Sequence, residues 1–416
     1  MTDASGGPPS PSLLPQLRSS LGLERNVVAL LATVFLMGLG EELWVGFVPK
    51  YLEALGGGAL VWTAYQSIKD LLDAVYQYPG GLASDRLGRR RSLMLFTLLA
   101  IAGYSLYLVG HHWSAILVGT LLVAAWGSMS LPATFAVVGD SLRRGQRSIG
   151  FSLQSIVVRV PRVIAPILGG WLLVTCGIIG GFRLALGLTI ILAVIAAIVQ
   201  QVVYHEPPVR PAAPSPGLRG EFRLFRPELK RLLASDVLAR LAEGIPAALI
   251  VIYATTNLGA SLALFGALRG LQTLVSIVCY VPAGKLADRV GQAPFIALTF
   301  AFFALFPLAF ALYPLLSGWG VVAFLTVASV LAGLREIGEP ARKSLIVDLV
   351  DQERRGQGVG AYYLARGLCV APAPLLGGAL WLVSPGLPFA VAAIAGMAGL
   401  VWYLWKGPRP GRSAWR

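Results

Sequence analysis

The chain reads as an all-α membrane protein with twelve transmembrane helices in two pseudo-symmetric six-helix bundles. Three observations lead there. Hydrophobic residues make up 56% of the 416 positions and charged ones 13%, a balance that would leave large apolar patches on a soluble protein. Twelve apolar segments follow one another, each near the ~20 residues that a bilayer-spanning helix needs. Marks in the first half recur at a nearly fixed offset in the second: Glu41 with Glu243, Tyr51 with Tyr253, Pro79 with Pro282, Asp140 with Asp348. A constant offset of that kind is the signature of a duplicated unit.

Residues 1–25 are polar, with Pro and Ser but no apolar core or small-residue cleavage site, so they read as a cytoplasmic tail and not as a signal peptide. Spans 1 to 6 are expected at 27–53, 59–83, 92–110, 114–138, 149–175 and 182–204, within a first bundle of 26–204. Residues 205–231 form the cytoplasmic linker, whose early part is rich in proline and small residues. Spans 7 to 12 follow at 232–256, 260–285, 294–316, 319–345, 358–384 and 386–405, a second bundle of 232–405, and 406–416 is a short cytoplasmic tail. Around Glu221–Leu233 apolar and basic positions intermix, which suits either a short amphipathic helix on the inner leaflet or a basic flank of span 7.

Orientation follows from arginine and lysine. Loops after spans 2, 4, 6, 8 and 10 carry Arg86, Arg89–Arg91, Arg143, Arg144, Arg147, a basic run from Arg210 to Arg231, Arg289, Arg342, Lys343, Arg354 and Arg355. Loops after spans 3, 7, 9 and 11 carry none. The positive-inside rule then puts both termini in the cytoplasm and the chain in the plasma (inner) membrane. This distribution also explains the net charge of +14 without nucleic acid as a partner. Cys176, Cys279 and Cys369 are isolated, and His111, His112 and His205 have no ligand spacing, so neither a metal nor a nucleophile is expected. No Gly-x-x-x-x-Gly-Lys-Ser/Thr loop occurs, so ATP does not drive the protein directly, and no enzyme activity is expected.

The stretch Gly81-Leu-Ala-Ser-Asp85-Arg86-Leu-Gly88-Arg89 ends span 2, and Gly284-Lys-Leu-Ala-Asp288-Arg289-Val-Gly291-Gln292 ends span 8, 203 residues later. The aspartates fall at helix ends, where a carboxylate can accept the N–H groups of a neighbouring helix start and oppose its dipole. The glycines permit a tight turn. Arg86, Arg89 or Arg90 is expected to pair with Asp140 at the end of span 4, a cytoplasmic gate whose copy uses Asp348. Because Gln292 replaces a basic residue, that second latch is expected to be weaker. Two Pro-x-x-Gly-Gly runs, Pro166-Gly169-Gly170 and Pro374-Gly377-Gly378, lie in spans 5 and 11, where small residues allow close helix packing.

These residues resemble known motifs. The repeated Gly-x-x-x-Asp-Arg-x-Gly signature is similar to motif A of the major facilitator superfamily, and the two-half layout covers nearly the whole chain. The run at Pro166 resembles motif C of the drug:proton antiporter branch, with Ala165 where that motif has glycine. Span 4 departs from the family: Gly119–Gly127 holds none of the arginine of motif B. The resemblance implies a monomeric transporter that works by alternating access on the proton gradient, without a cofactor.

Chemistry is expected among charges inside the spans. Seven acidic (Glu41, Glu42, Asp70, Asp73, Glu243, Glu336, Glu339) and seven basic residues (Lys69, Arg159, Arg162, Arg240, Arg269, Arg335, Arg366) lie there. At roughly 3 kcal/mol each, fourteen facing lipid would cost about 40 kcal/mol, against a net stability of ~5–15 kcal/mol. They must pair or line a wet cavity between the bundles. Helical spacing pairs Lys69 with Asp73, Arg240 with Glu243 and Arg335 with Glu339.

Glu41, with its repeat mate Glu243, is the first candidate for a carboxylate that binds and releases a proton; Asp70 and Asp73 are rivals. Arg159 and Arg366 hold nearly equivalent repeat positions and, with Arg162 and Arg269, suit a carboxylate or phosphate. Tyr362 and Gln154 are candidate polar walls. The leading expectation is proton-coupled export of small organic molecules across the bilayer. Alternatives are a symporter or exchanger of an organic anion, told apart by whether Arg159 and Arg366 face the cavity, and a non-transporting sensor on the same scaffold.

Overall fold

The computed structural model describes residues 25–130, 147–203, 225–316, 318, 320–350 and 355–408. Among the described residues every regular element is helical, as a bilayer requires, since a helix satisfies its own backbone N–H and C=O groups. Among the described residues ten helices are long and apolar enough to span. With the two others in chain order they are written α1 to α12. The first half has α1 (Val28–Ala54), α2 (Ala59–Val75, continued as Gln77–Leu87), α3 (Arg89–Val109), α4 (Trp113–Met129), α5 (Arg147–Thr175) and α6 (Ile178–Val203). The second has α7 (Pro227–Asn257), α8 (Leu262–Val290), α9 (Gln292–Ala311), α10 (Val321–Leu349), α11 (Gly358–Val383) and α12 (Leu387–Lys406). The two outside the ten are α4, which is shorter, and α2, whose middle carries Lys69, Asp70 and Asp73.

Lipid-facing surfaces are legible from exposure. On α6, Leu184, Leu188, Ile191, Ile195, Ile198 and Val202 are all exposed and recur every three or four residues, an apolar stripe along one face. The opposite face packs against α1 and α3.

The two halves meet along α5 with α8 and along α2 with α11. Since α2 and α8, like α5 and α11, are repeat mates, the second contact is the first with the halves exchanged. The Pro-x-x-Gly-Gly runs sit in both contacts. A Cβ on Gly169 would collide with the carbonyl of Leu43 in α1, and one on Gly377 with the carbonyl of Ile245 in α7. Their neighbours face the other half: Gly170 against the Leu262 carbonyl, Gly378 against Thr63 and Ala59. Each run therefore packs its own half with one glycine and joins the halves with the next.

The turns after α2 and α8 are built alike. Gly88 has φ 84° and Gly291 φ 107°, a region that side-chain-bearing residues seldom adopt. Aromatic cores also repeat: Tyr51 stacks on Phe182 at 3.9 Å, while Tyr253 meets Phe389 edge-on at 5.0 Å. Trp44, fully buried, lies edge-on to Tyr104, Tyr107 and Phe182 at 5.6–5.9 Å. Trp62, Tyr65 and Trp126 are buried in the same core.

The inner-leaflet helix considered for Glu221–Leu233 is corrected. From Pro227 the chain is already α7, and Leu229 and Leu232 are buried in the core of the second half. Their apolar positions face protein because α7 extends five residues beyond the expected start, so the basic residues there flank a span.

Candidate functional site

A cavity of about 560 Å³ lies between the halves, lined by α1 and α2 and by α5, α7, α8, α9 and α10. At α1 the helix is interrupted: an α-helix ends at Glu42, a short 3₁₀ turn spans Val45–Phe47, and helix resumes at Val48. Glu42, Val45, Gly46 and Pro49 from this stretch line the cavity. Across from them α8 contributes Arg269, Gln272, Thr273 and Ser276, spaced so that all share one helical face.

Described hydrogen bonds between the halves include Lys50 Nζ to Thr256 Oγ1 at 2.8 Å and Thr256 Oγ1 to Glu53 Oε1 at 3.4 Å, at the end of the bundle away from the Gly88 and Gly291 turns. Deeper in, Arg159 donates to Ser276 Oγ at 3.3 Å, and the backbone N–H of Leu375 donates to Ser67 Oγ at 3.2 Å.

The charges divide differently in the two halves. In the second, Asp236, Arg240 and Glu243 fall on one face of α7, and Arg335, Glu339 and Arg342 on one face of α10, each set at i, i+4, i+7. The helices run antiparallel, so the sets meet as three rungs: Asp236 with Arg342, Arg240 with Glu339 at 3.1 Å, and Glu243 with Arg335 at 3.6 Å. Bonds along each helix brace them, Arg240 to Glu243 at 2.7 Å and Arg342 to Glu339 at 2.6 Å. Arg342 and Asp236 are each 1% exposed.

This ladder corrects three expectations. Arg335 reaches Glu243 and not Glu339, because Arg240 and Arg342 already hold the Glu339 carboxylate. Arg366 does not line the cavity with Arg159; it turns to Asp236 at 3.4 Å and over the Tyr363 ring at 4.7 Å. Tyr362 is fully buried and donates to Asp236 at 3.0 Å, which takes it out of the cavity wall. Asp236 and Arg342 escaped sequence reading, Arg342 because it sits among residues that look like a basic loop. The spacing of three alternating charges on each of two helices was the available signal.

In the first half Lys69 pairs with Asp73 at 2.7 Å, as their spacing predicts, and Ser128 of α4 also donates to Asp73. Arg162 pairs with Glu42, the neighbour of Glu41, at 3.1 Å. Glu42 lines the cavity and Glu41 does not. The Glu41 carboxylate has no hydrogen-bond or ion-pair partner among the described residues, although Lys69, Asp73 and Arg162 act on it through space. Asp70 accepts from Gln66 Nε2 at 2.8 Å and has no ion pair among the described residues. Arg159, Arg162 and Arg269 all line the cavity, as does Glu243.

Of the expected gate residues, Asp140 lies outside the described residues, as do the side chains at 85 and 288; the side chain of Gln154, the candidate polar wall on α5, lies outside them too. Arg86 and Arg289 are exposed at their helix ends and Arg89 is half-buried at the start of α3. Arg90, one of the arginines considered for Asp140, donates to the backbone oxygen of Gln201 at 2.5 Å and to its Oε1 at 3.0 Å in α6. In the second half Gln292 donates to Ser344 at 3.0 Å and to Asp348 at 3.5 Å, so the amide that replaces a basic residue still reaches the expected aspartate.

Known proteins fit this architecture. The family model described as "Major Facilitator Superfamily" matches residues 30–237 and again 232–414, once per half. Multidrug resistance protein MdtH of Cronobacter sakazakii is 22% identical over 86% of this chain and 88% of its own length. Quinolone resistance protein NorA of Staphylococcus aureus is 21% identical over 44% of this chain and 46% of its own length. Among solved structures, the POT family transporter PepTSo superposes with a TM-score of 0.76 at 12% identity, over 92% of this chain and 97% of that one. A duplicated chain whose halves enclose a charged cavity, matched twice by one family model, belongs to the major facilitator superfamily.

Proposed function

We propose that this protein is a proton-coupled exporter of small organic molecules, working by alternating access. The observation that carries the reading is the cavity between the halves, together with two nearby carboxylates, Glu41 and Asp70, that lack an ion pair among the described residues. A volume of about 560 Å³ suits a drug-sized molecule. A carboxylate without a cation partner can exchange a proton without breaking a salt bridge, and Glu41 sits one residue from Glu42 on the cavity wall. Protonation there would change the charge beside the Glu42–Arg162 pair, which joins α1 to α5. The similarity to proteins named for multidrug and quinolone resistance supports organic molecules as cargo and export as the direction.

In this reading the halves rock about the α5–α8 and α2–α11 contacts. The arrangement described is closed by the Lys50–Thr256 contact, at what would be the outer end if both termini are cytoplasmic. The experiment is flux of a fluorescent quinolone in proteoliposomes with an imposed pH gradient. The gradient should accelerate flux, and Glu41→Gln should remove the acceleration. Flux that ignores the gradient would end the proton-coupled reading; no flux of any organic probe would favour a sensor.

A further inference from the structure

We infer that the cavity takes organic monoanions, with the negative group seated on Arg269 and the apolar body against Phe306 and Phe310. This rests on the reading that the cavity is the cargo site, and adds the chemical class of the cargo.

The charges lining the cavity do not cancel locally. Lys69, Arg159, Arg162, Arg269 and Arg335 face Glu42, Glu243 and Glu336. Lys69 is taken by Asp73, Arg162 by Glu42 and Arg335 by Glu243. Arg159 donates to Ser276. The Arg269 guanidinium has neither a hydrogen bond nor an ion pair among the described residues. Glu42 acts on it only through space, with Oε1 already bonded to Arg162.

The surroundings are shaped for this side chain. A Cβ at Gly46 would come within 2.9 Å of Arg269 Nε, so the interrupted stretch of α1 leaves room for the guanidinium. Further along the same face of α8, Gln272, Thr273 and Ser276 add an amide and two hydroxyls. Phe306 and Phe310 of α9 meet edge-on at 5.2 Å and supply an apolar wall. A guanidinium on a cavity wall with no ion pair among the described residues has its donors open to a carboxylate or sulfonate, which it can meet bidentately. Glu336 faces the same space, also without an ion pair among the described residues, and disfavours a second negative group. Hence a monoanion.

The same chemistry describes a soluble aromatic acid and an anionic lipid headgroup, and the test separates them. Full-length protein in phosphatidylcholine nanodiscs is titrated calorimetrically with naphthoate, naphthalenesulfonate, naphthylmethanol and naphthylmethylammonium. At least one anion should bind about tenfold tighter than the alcohol, and the ammonium should bind more weakly than either. Arg269→Gln should erase the anion preference while alcohol binding persists, and Arg269→Lys should retain part of it. An anion preference that disappears in phosphatidylglycerol nanodiscs still supports the site and assigns it to a lipid headgroup. Anions that bind no better than the alcohol, or a preference that survives Arg269→Gln, overturn the proposal. Should Arg269→Gln fail to fold, the wild-type ratio and the Lys variant decide. Proton-coupled flux is read separately: a binding preference without flux would refute the transport reading alone, and flux without the preference this one alone.

Discussion

The two halves share a backbone plan but pair their buried charge to different extents. In the second half the ion ladder between α7 and α10 occupies every charge of α7 from Asp236 to Glu243 and draws in Arg366 and Tyr362 from α11. In the first half Glu41 and Asp70 are left without an ion pair among the described residues. Even the repeat mates diverge: Glu243 is gripped by Arg240 and Arg335, and Glu41, among the described residues, by neither a cation nor a donor. A set of charges braced on several sides resists titration and rearrangement. Single carboxylates can change state cheaply, so the α7–α10 ladder reads as a rigid frame, and Glu41 and Asp70, with Glu336 outside the ladder, as the groups that respond to protons.

The largest test of that contrast is Arg342→Met. Removing the guanidinium leaves the buried Asp236 with only Arg366 at 3.4 Å and Tyr362 at 3.0 Å and leaves Glu339 to Arg240, and the expected loss is roughly 3–5 kcal/mol. Thermal melting of the purified protein would read it, and adding Asp236→Asn should recover part of the loss. A single variant that melts with the wild type would mean that the ladder does not hold the frame.

Next in size are Gly170→Val and Gly378→Val, one at each contact between the halves. Each places a side chain against a neighbour with no room to give, and overpacking of this kind costs about 1–3 kcal/mol. Because the contacts are repeat mates, both should open the same end. Maleimide labelling of Thr256→Cys, after the native cysteines are replaced, should become faster in both; acceleration in only one would break the symmetry.

Lys50→Ala removes a partly exposed contact between the halves, and the expected effect is ~0.2–1 kcal/mol. The same labelling should rise slightly, and high salt should mimic the change in the wild type by screening.

Smallest in stability is Glu41→Gln, expected within about 0.5 kcal/mol because no partner is lost. Glu243→Gln, its repeat mate, should destabilise far more, since it weakens two arginines at once. Similar melting shifts for the two would erase the distinction between frame and responder.

Much of the architecture was legible before any coordinates. The spans, the paired Gly88 and Gly291 turns and the two Pro-x-x-Gly-Gly contacts follow from short-range patterns, because hydrophobic length and backbone conformation are properties of a few consecutive residues. Lys69–Asp73 and Arg240–Glu243 were legible for the same reason, being set by helical spacing. The misreadings of Arg335, Arg366 and Tyr362 share one cause: a same-helix pairing, a repeat-based role and a place in the cavity wall each gave way to a partner from another helix.

The sequence alone thus determined the number and order of helices, their duplication and the charges that had to be sheltered from lipid. Only the tertiary structure decided that Asp236 and Arg342 join the ladder, that Glu42 and not Glu41 meets Arg162, and that Arg269 faces the cavity with no ion pair among the described residues. The physical reason is that helical periodicity fixes which residues share a face. Which face meets which depends on the rotation and register of each helix against its neighbours, set by packing across the whole bundle.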